Sequence, residues 1–223
     1  SVTPRAAEWG KDPIRMAQRT FLMGPEPDYE QPIEQSLFGL VQASGRSGEE
    51  ILYDHLLTDD GRGQVFVPVM NYVESDYEAV RRMMESPHAI LGLSDGGAHV
   101  GYICDGSFPT YLLSHWTRDR SRGPKLRLED AVRLQTTRPA EQMGLADRGR
   151  IAPGLRADLN IIDHARLKVG RPTLHNDLPA GGTRFLQGAT GYVATFVAGV
   201  AVRETDRPTG ARPGRLVRGR TAA

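Results

Sequence analysis

Leu91-Gly92-Leu93-Ser94-Asp95-Gly96-Gly97 is the stretch on which the fold of this 223-residue chain turns, a short apolar run that empties into one carboxylate and two glycines. A strand rising through a core delivers its last side chain to a fixed point, and glycines after it let the backbone swing aside for a ligand. The segment Ala89 to Leu93 therefore reads as a buried strand, with Asp95 at the rim of a pocket.

Working outward, Gln64-Val65-Phe66-Val67-Pro68-Val69-Met70 is apolar on both faces and β-branched, the pattern of a strand covered on both sides, although Pro68 removes one ladder donor. Between the two strands, Ser75-Asp76-Tyr77-Glu78 matches a capping box and predicts a helix with Ala79, Val80, Met83 and Met84 inward, stopping at Ser86-Pro87. Before them, Ser47-Gly48-Glu49-Glu50 matches a first capping box, and Ile51, Leu52, His55, Leu56 and Leu57 carry that helix to about Thr58, where Asp59-Asp60-Gly61 ends it. Helix, buried strand, helix, buried strand is the rhythm of a parallel sheet with helical crossovers, so the fold class is α/β. In such sheets functional residues collect at the carboxyl ends of strands, where Asp95 falls and where Asn71 and Tyr72 follow the earlier strand.

Farther out the patterns weaken. Five prolines interrupt the first 45 residues, though Ile33, Leu37, Leu40 and Val41 keep helical spacing. Downstream, Pro109 to Trp116 and Leu128 to Thr137 read as helices, and Ala140 to Met143 as a turn closed by Gly144. The pattern then becomes β: Ile151 to Gly154, Ala157 to Asp163, and Tyr192 to Val202 read as strands, the last folded into a hairpin at Ala198-Gly199. The change of pattern divides the chain into 1–146, of α/β units, and 147–223, of β strands and an arginine-rich tail.

Composition excludes little but narrows the setting. The 28 basic and 27 acidic residues leave a net charge of +1, which gives no reason to expect nucleic acid or an anionic membrane as partner. A single cysteine, Cys104, cannot make an intrachain disulfide, and it reads as a small packed residue. No segment resembles a signal peptide or a membrane span, so a cytoplasmic protein is expected. Glycine (25 residues) and proline (15) exceed their usual share, marking a loop-rich chain. The six histidines, at 55, 88, 99, 115, 164 and 175, form no His-x-His or His-x-x-x-His pair. A metal centre built on Asp95 would need partners from other polypeptide; otherwise Asp95 caps a turn, a common task for Asp before Gly.

Three passages resemble the C-terminal part of the N-acyl-D-amino-acid deacylases, a branch of the amidohydrolase superfamily: Leu91 to His99, Asp147 to Leu159 with its R-G-x-x-A-P-G-x-x-A-D-L run, and Thr209 to Arg215. The resemblance implies the last units of a (β/α)₈ barrel flanked by part of a small β-sandwich. It implies a divalent metal, zinc, held chiefly by histidines from earlier strands that this chain does not contain, with Asp95 as ligand or proton shuttle. A zinc-type ion brings the pKa of bound water toward about 7, and a neighbouring carboxylate takes the proton as hydroxide attacks an amide carbonyl, then returns it to the departing amine. His99, on the loop beyond, is the candidate substrate contact, with a solvated loop histidine as the alternative.

The chain also departs from that pattern. D-aminoacylases carry His-Pro-Arg before Gly-Thr-Phe-Pro, and the arginine grips the substrate carboxylate. Here Gly106-Ser107-Phe108-Pro109 matches the second motif, while Tyr102-Ile103-Cys104 stands near the first, which leaves another small amide, an ester or a cyclic imide as substrate. Two readings follow. One is an amide hydrolase whose N-terminal portion, or another copy, completes the barrel, with this chain inactive alone. The other is a non-catalytic α/β scaffold or assembly module that completes a barrel from another chain.

Overall fold

The computed structural model describes residues 13–92, 97 and 99–217. The chain divides into two compact units, Ser1–Glu85 and Ser86–Ala223, and its architecture is mixed α/β. The boundary expected near residue 146 falls inside the second unit.

In the first unit the strand expected at 64–70 forms only over Gln64–Phe66, pairing antiparallel with Phe21–Met23. Phe21 is fully buried and anchors the core, its ring 6.4 Å from Phe66 and 5.9 Å from Tyr72. Leu37, Ile51 and Met84 close the core from three helices, Leu37–Ser44, Gly48–Leu56 and Glu78–Glu85. The first capping box forms as read: Ser47 Oγ accepts from the Glu50 N–H, and the Glu50 carboxylate accepts from the Ser47 N–H, each at 3.2 Å. Asp59 and Asp60 take left-handed backbone angles, which ends that helix.

The second box differs from expectation. Ser75 itself has φ of 56°, and the carboxylate serving the helix start is Asp76, whose Oδ1 accepts from the Glu78 N–H at 2.9 Å. The Glu78 carboxylate turns forward to Arg81 Nε at 2.9 Å. Of the apolar residues expected inward, Met84 is buried, but Met83 is 48% exposed and Ala79 lies in solvent, because one 8-residue helix buries only a narrow stripe here.

The second unit opens with another difference. The described part of the expected strand, 89–92, has no strand partner. A strand is made by its neighbour, and here the Ala89 carbonyl instead accepts from Arg138 Nη2 (2.5 Å), which also reaches the carbonyls of Ser86 (2.9 Å) and Pro87 (3.0 Å) just upstream. Every strand pairing among the described residues is antiparallel rather than parallel.

Helix Phe108–Ser114 runs into a π-type turn, His115–Asp119, and packs with helices Leu128–Gln135 and Thr137–Gln142. Their shared core holds Leu112, Leu113, Trp116, Ala131 and Leu134, and it also admits Arg120, 1% exposed, with its guanidinium 4.6 Å above the Trp116 ring. The β part is a four-stranded antiparallel sheet: Arg207–Pro208 and Val200–Glu204 lie on one side of Tyr192–Val197, and Leu159–Ile162 on the other. The hairpin turns where expected, with Ala198 at φ 51° and Gly199 at φ 79°, the left-handed pair that a tight two-residue turn requires. Two short ribbons accompany it, Lys168–Val169 with Ala189–Thr190 and Thr173–His175 with Arg184–Leu186. Ile151 to Gly154, expected as a strand, is instead a turn, with Ile151 88% exposed and the Leu155 N–H closing on the Ala152 carbonyl at 3.2 Å.

Candidate functional site

Asp95, the residue on which the expected chemistry rests, lies outside the described residues, as do Leu93, Ser94, Gly96 and Ala98. The polypeptide on either side of it is described. Upstream, the three carbonyls of 86, 87 and 89 converge on one nitrogen of Arg138, and no carboxylate among the described residues pairs with that guanidinium. Downstream, the Val100 carbonyl accepts from the Phe185 N–H at 2.8 Å, which fastens the loop to the Arg184–Leu186 strand. The other strand of that ribbon leads into Asp177, whose carboxylate holds the Arg184 guanidinium through two bonds of 2.7 Å.

His99 sits in this loop with φ of 49° and an exposed side chain. Its ring stacks on Tyr102 at 5.4 Å between centroids, and its carbonyl accepts from the N–H groups of Tyr102 and Ile103. Cys104 is half-buried, and burial, followed by the charge of Asp105, pushes its thiol upward, so it is no ready thiolate. Among the described residues no three or more His, Cys, Asp or Glu side chains gather as a metal site. The described residues therefore do not by themselves fit a metal.

Asn71 and Tyr72, candidates for a pocket wall, belong to the first unit. Tyr72 is 2% exposed and its hydroxyl donates to the Gln31 carbonyl at 2.7 Å, a core role; Asn71 is exposed with φ of 62°.

The R-G-x-x-A-P-G-x-x-A-D-L passage acts as a structural knot. Asp158 accepts from Arg148 at 3.0 Å and from Arg156 at 2.9 Å, and its Oδ1 accepts from the Ala198 N–H at 2.8 Å, pinning the hairpin turn. Desolvation opposes the Asp158 charge, but the Ala198 amide and the two guanidinium groups outweigh it and hold the carboxyl below the usual carboxylate range. Gly149, with φ of 90°, passes so close to the preceding helix that a Cβ would stand 2.6 Å from the Ala140 Cβ. A shallow cavity of about 300 Å³ lies on this passage, lined by Ala140, Leu145 and Arg150 among others; it is not on the loop that carries His99. The Gly106-Ser107-Phe108-Pro109 passage is likewise structural at Ser107, whose hydroxyl donates to Gln187 Oε1.

Local patterns did not point to Arg138 or the Phe185 N–H, because each acts on chain about 50 or more residues away.

The chain belongs to the amidohydrolase family, whose model matches residues 47–203. Its likenesses include a deacylase, a deaminase and D-aminoacylase structures. It is 35% identical over 150 residues to the N-acyl-D-glutamate deacylase of Alcaligenes xylosoxydans xylosoxydans, covering 66% of this chain and 28% of the relative. It is 38% identical over 69 residues to an adenine deaminase of Lactobacillus delbrueckii subsp. bulgaricus, covering 30% and 12%. Among solved structures it is similar to a D-aminoacylase mutant in complex with copper chloride, at 27% identity and a TM-score of 0.48, over 93% of this chain and 39% of that one. It is also similar to a D-aminoacylase studied for its binuclear metal centre, at 27% identity and a TM-score of 0.46, over 90% and 38%. The chain thus spans less than a third of the length of the curated relatives it matches. No helix among the described residues is long and apolar enough to cross a membrane.

Proposed function

We propose that the chain works as the C-terminal part of a metal-dependent hydrolase of C–N amide bonds, of the deacylase kind, acting on a small N-acyl compound in the cytoplasm. The family match over residues 47–203, joined to the deacylase relative, is the observation that carries this reading. In it, residues 1–146 supply the last βα units of a (β/α)₈ barrel and 147–223 supply sandwich strands and the tail. Asp95 is the catalytic carboxylate and a metal ligand. It takes a proton from the attacking water and gives it to the leaving amine, one group serving first as base and then as acid. His99 touches the substrate. The metal is a divalent ion, zinc, and its other ligands come from polypeptide outside these 223 residues.

Metal content and hydrolysis, measured with and without the polypeptide that completes the match to the longer relatives, test the reading. The 223-residue chain is expected to bind little zinc and to cleave no N-acyl-D-amino acid; the completed protein is expected to hold stoichiometric metal and to lose activity to a chelator. A completed protein that stays metal-free and inactive on amides would instead be the scaffold of the alternative reading. Alone, the chain exposes Tyr53 (66%), Met70 (72%) and Val73 (72%), and it is expected to self-associate as its concentration rises. Size measurement across a hundredfold dilution checks this, and a monomer at every concentration contradicts it.

A further inference from the structure

We infer that the cavity on the Gly149 passage is a binding site for the zwitterion of a small apolar amino acid. The cavity lies within the second unit and holds about 300 Å³. That is the small end of the range for ligand pockets, about 300–1,000 Å³, and it suits a single amino acid rather than a larger molecule. Two opposite charges line it, Glu141 and Arg150, and neither has an ion pair or a side-chain hydrogen bond among the described residues. They share one cavity without meeting. Ala140, buried, and Leu145, half-buried, supply its apolar wall.

The local chain leaves each charge unanswered. Glu141 stands in the last turn of helix Thr137–Gln142, where no basic residue accompanies it, so its carboxylate adds to the negative end of the helix dipole and attracts an ammonium. Beyond the helix the chain turns at Gly149, with φ of 90°, and both neighbours of that glycine, Arg148 and Arg150, line the cavity. The two arginines differ. Arg148 is committed, its Nε to Asp147 at 2.9 Å and its Nη1 to Asp158 at 3.0 Å. Arg150 is left to offer a planar guanidinium, which grips a carboxylate through two parallel N–H bonds. A plain anion on Arg150 would be repelled by Glu141, and a plain amine on Glu141 would be repelled by Arg150. One ligand carrying both charges answers both, and a short apolar side chain then finds cover on Ala140 and Leu145. An α-amino acid has that form. The inference stands apart from the hydrolase reading, because the cavity is not on the loop that carries His99.

The test is saturation-transfer NMR on the 223-residue chain at neutral pH, titrated with leucine, with N-acetyl-leucine, which lacks the ammonium, and with leucinamide, which lacks the carboxylate. Leucine is expected to bind saturably, and each derivative about tenfold more weakly. Glu141→Gln is expected to abolish the preference for leucine over N-acetyl-leucine while keeping the preference over leucinamide, and Arg150→Gln is expected to do the reverse. Both side chains are exposed and make no bond among the described residues, so the thermal midpoint is expected to stay at the wild-type value in each variant. A merely structural effect would weaken all three ligands alike, and that result overturns the assignment. No saturable binding of leucine, equal binding of the three ligands, or a preference for either derivative over leucine also overturns it, as does a binding pattern that both variants leave unchanged.

Discussion

At the scale of single residues, the family motif proves to be architecture. Asp158 joins two arginines and the hairpin turn, so Asp158→Ala leaves the Arg156 guanidinium and the Ala198 amide without this acceptor, leaves Arg148 with Asp147 alone, and is expected to cost about 1–3 kcal/mol, read as a fall in the denaturant midpoint. Gly149→Ala meets both a left-handed φ and the Ala140 methyl and is expected to cost about 1–3 kcal/mol by the same measurement. Three side chains set two opposite pH limits. Asp119, held below the usual carboxylate range chiefly by its bonds to Arg118, and Asp158 are depressed in the fold, so their contribution is full above about pH 4 and disappears as pH falls through the folded values. Tyr77 is shifted the other way: burial first, then the neighbouring Tyr72 and Glu30, push its phenol well above the usual value near 10. Its contribution is present below pH 10 and is lost as pH rises beyond it, and Tyr77→Phe is expected to flatten the alkaline limb of a melting-temperature profile while leaving the acid limb unchanged.

At the scale of elements, what could be read from the sequence was what neighbours within a few residues decide. The Ser47 capping box, the Asp59-Asp60-Gly61 stop and the Ala198-Gly199 turn depend on local backbone chemistry, and each formed as read. Ser47→Ala is expected to cost about 1 kcal/mol, seen as a drop in the first unit's thermal midpoint; no change would mean that packing alone holds the helix. The expected strands at 89–93 and 151–154 depended on partners that local pattern does not name. The Ala89 carbonyl accepted from Arg138 and residues 90–92 found no strand partner, and Ala152 closed a turn with Leu155. Likewise Ser75 lost the cap to Asp76, because the side chain two residues before Glu78 reaches its N–H at 2.9 Å. Apolar periodicity also could not tell Met84 from Met83, since which of two adjacent methionines is covered depends on what packs against the helix.

At the scale of the whole molecule, the chain is two compact units of mixed α/β structure belonging to the amidohydrolase family, and the resemblance carried in three short passages was enough to reach that family. The candidate site was legible only as a carboxylate after a short apolar run, because the contacts made by the described chain on either side of it, from Arg138 and the Phe185 amide, come from far along the chain and no local pattern names them. The proposed chemistry rests on Asp95, and the most direct measurement is the hydrolysis of a small amide that the completed wild-type enzyme cleaves, repeated with Asp95→Asn, which keeps size and removes the base. The predicted result is a fall in kcat of about 10²–10⁴ with an unchanged thermal midpoint; an Asn variant that turns over at the wild-type rate would contradict it.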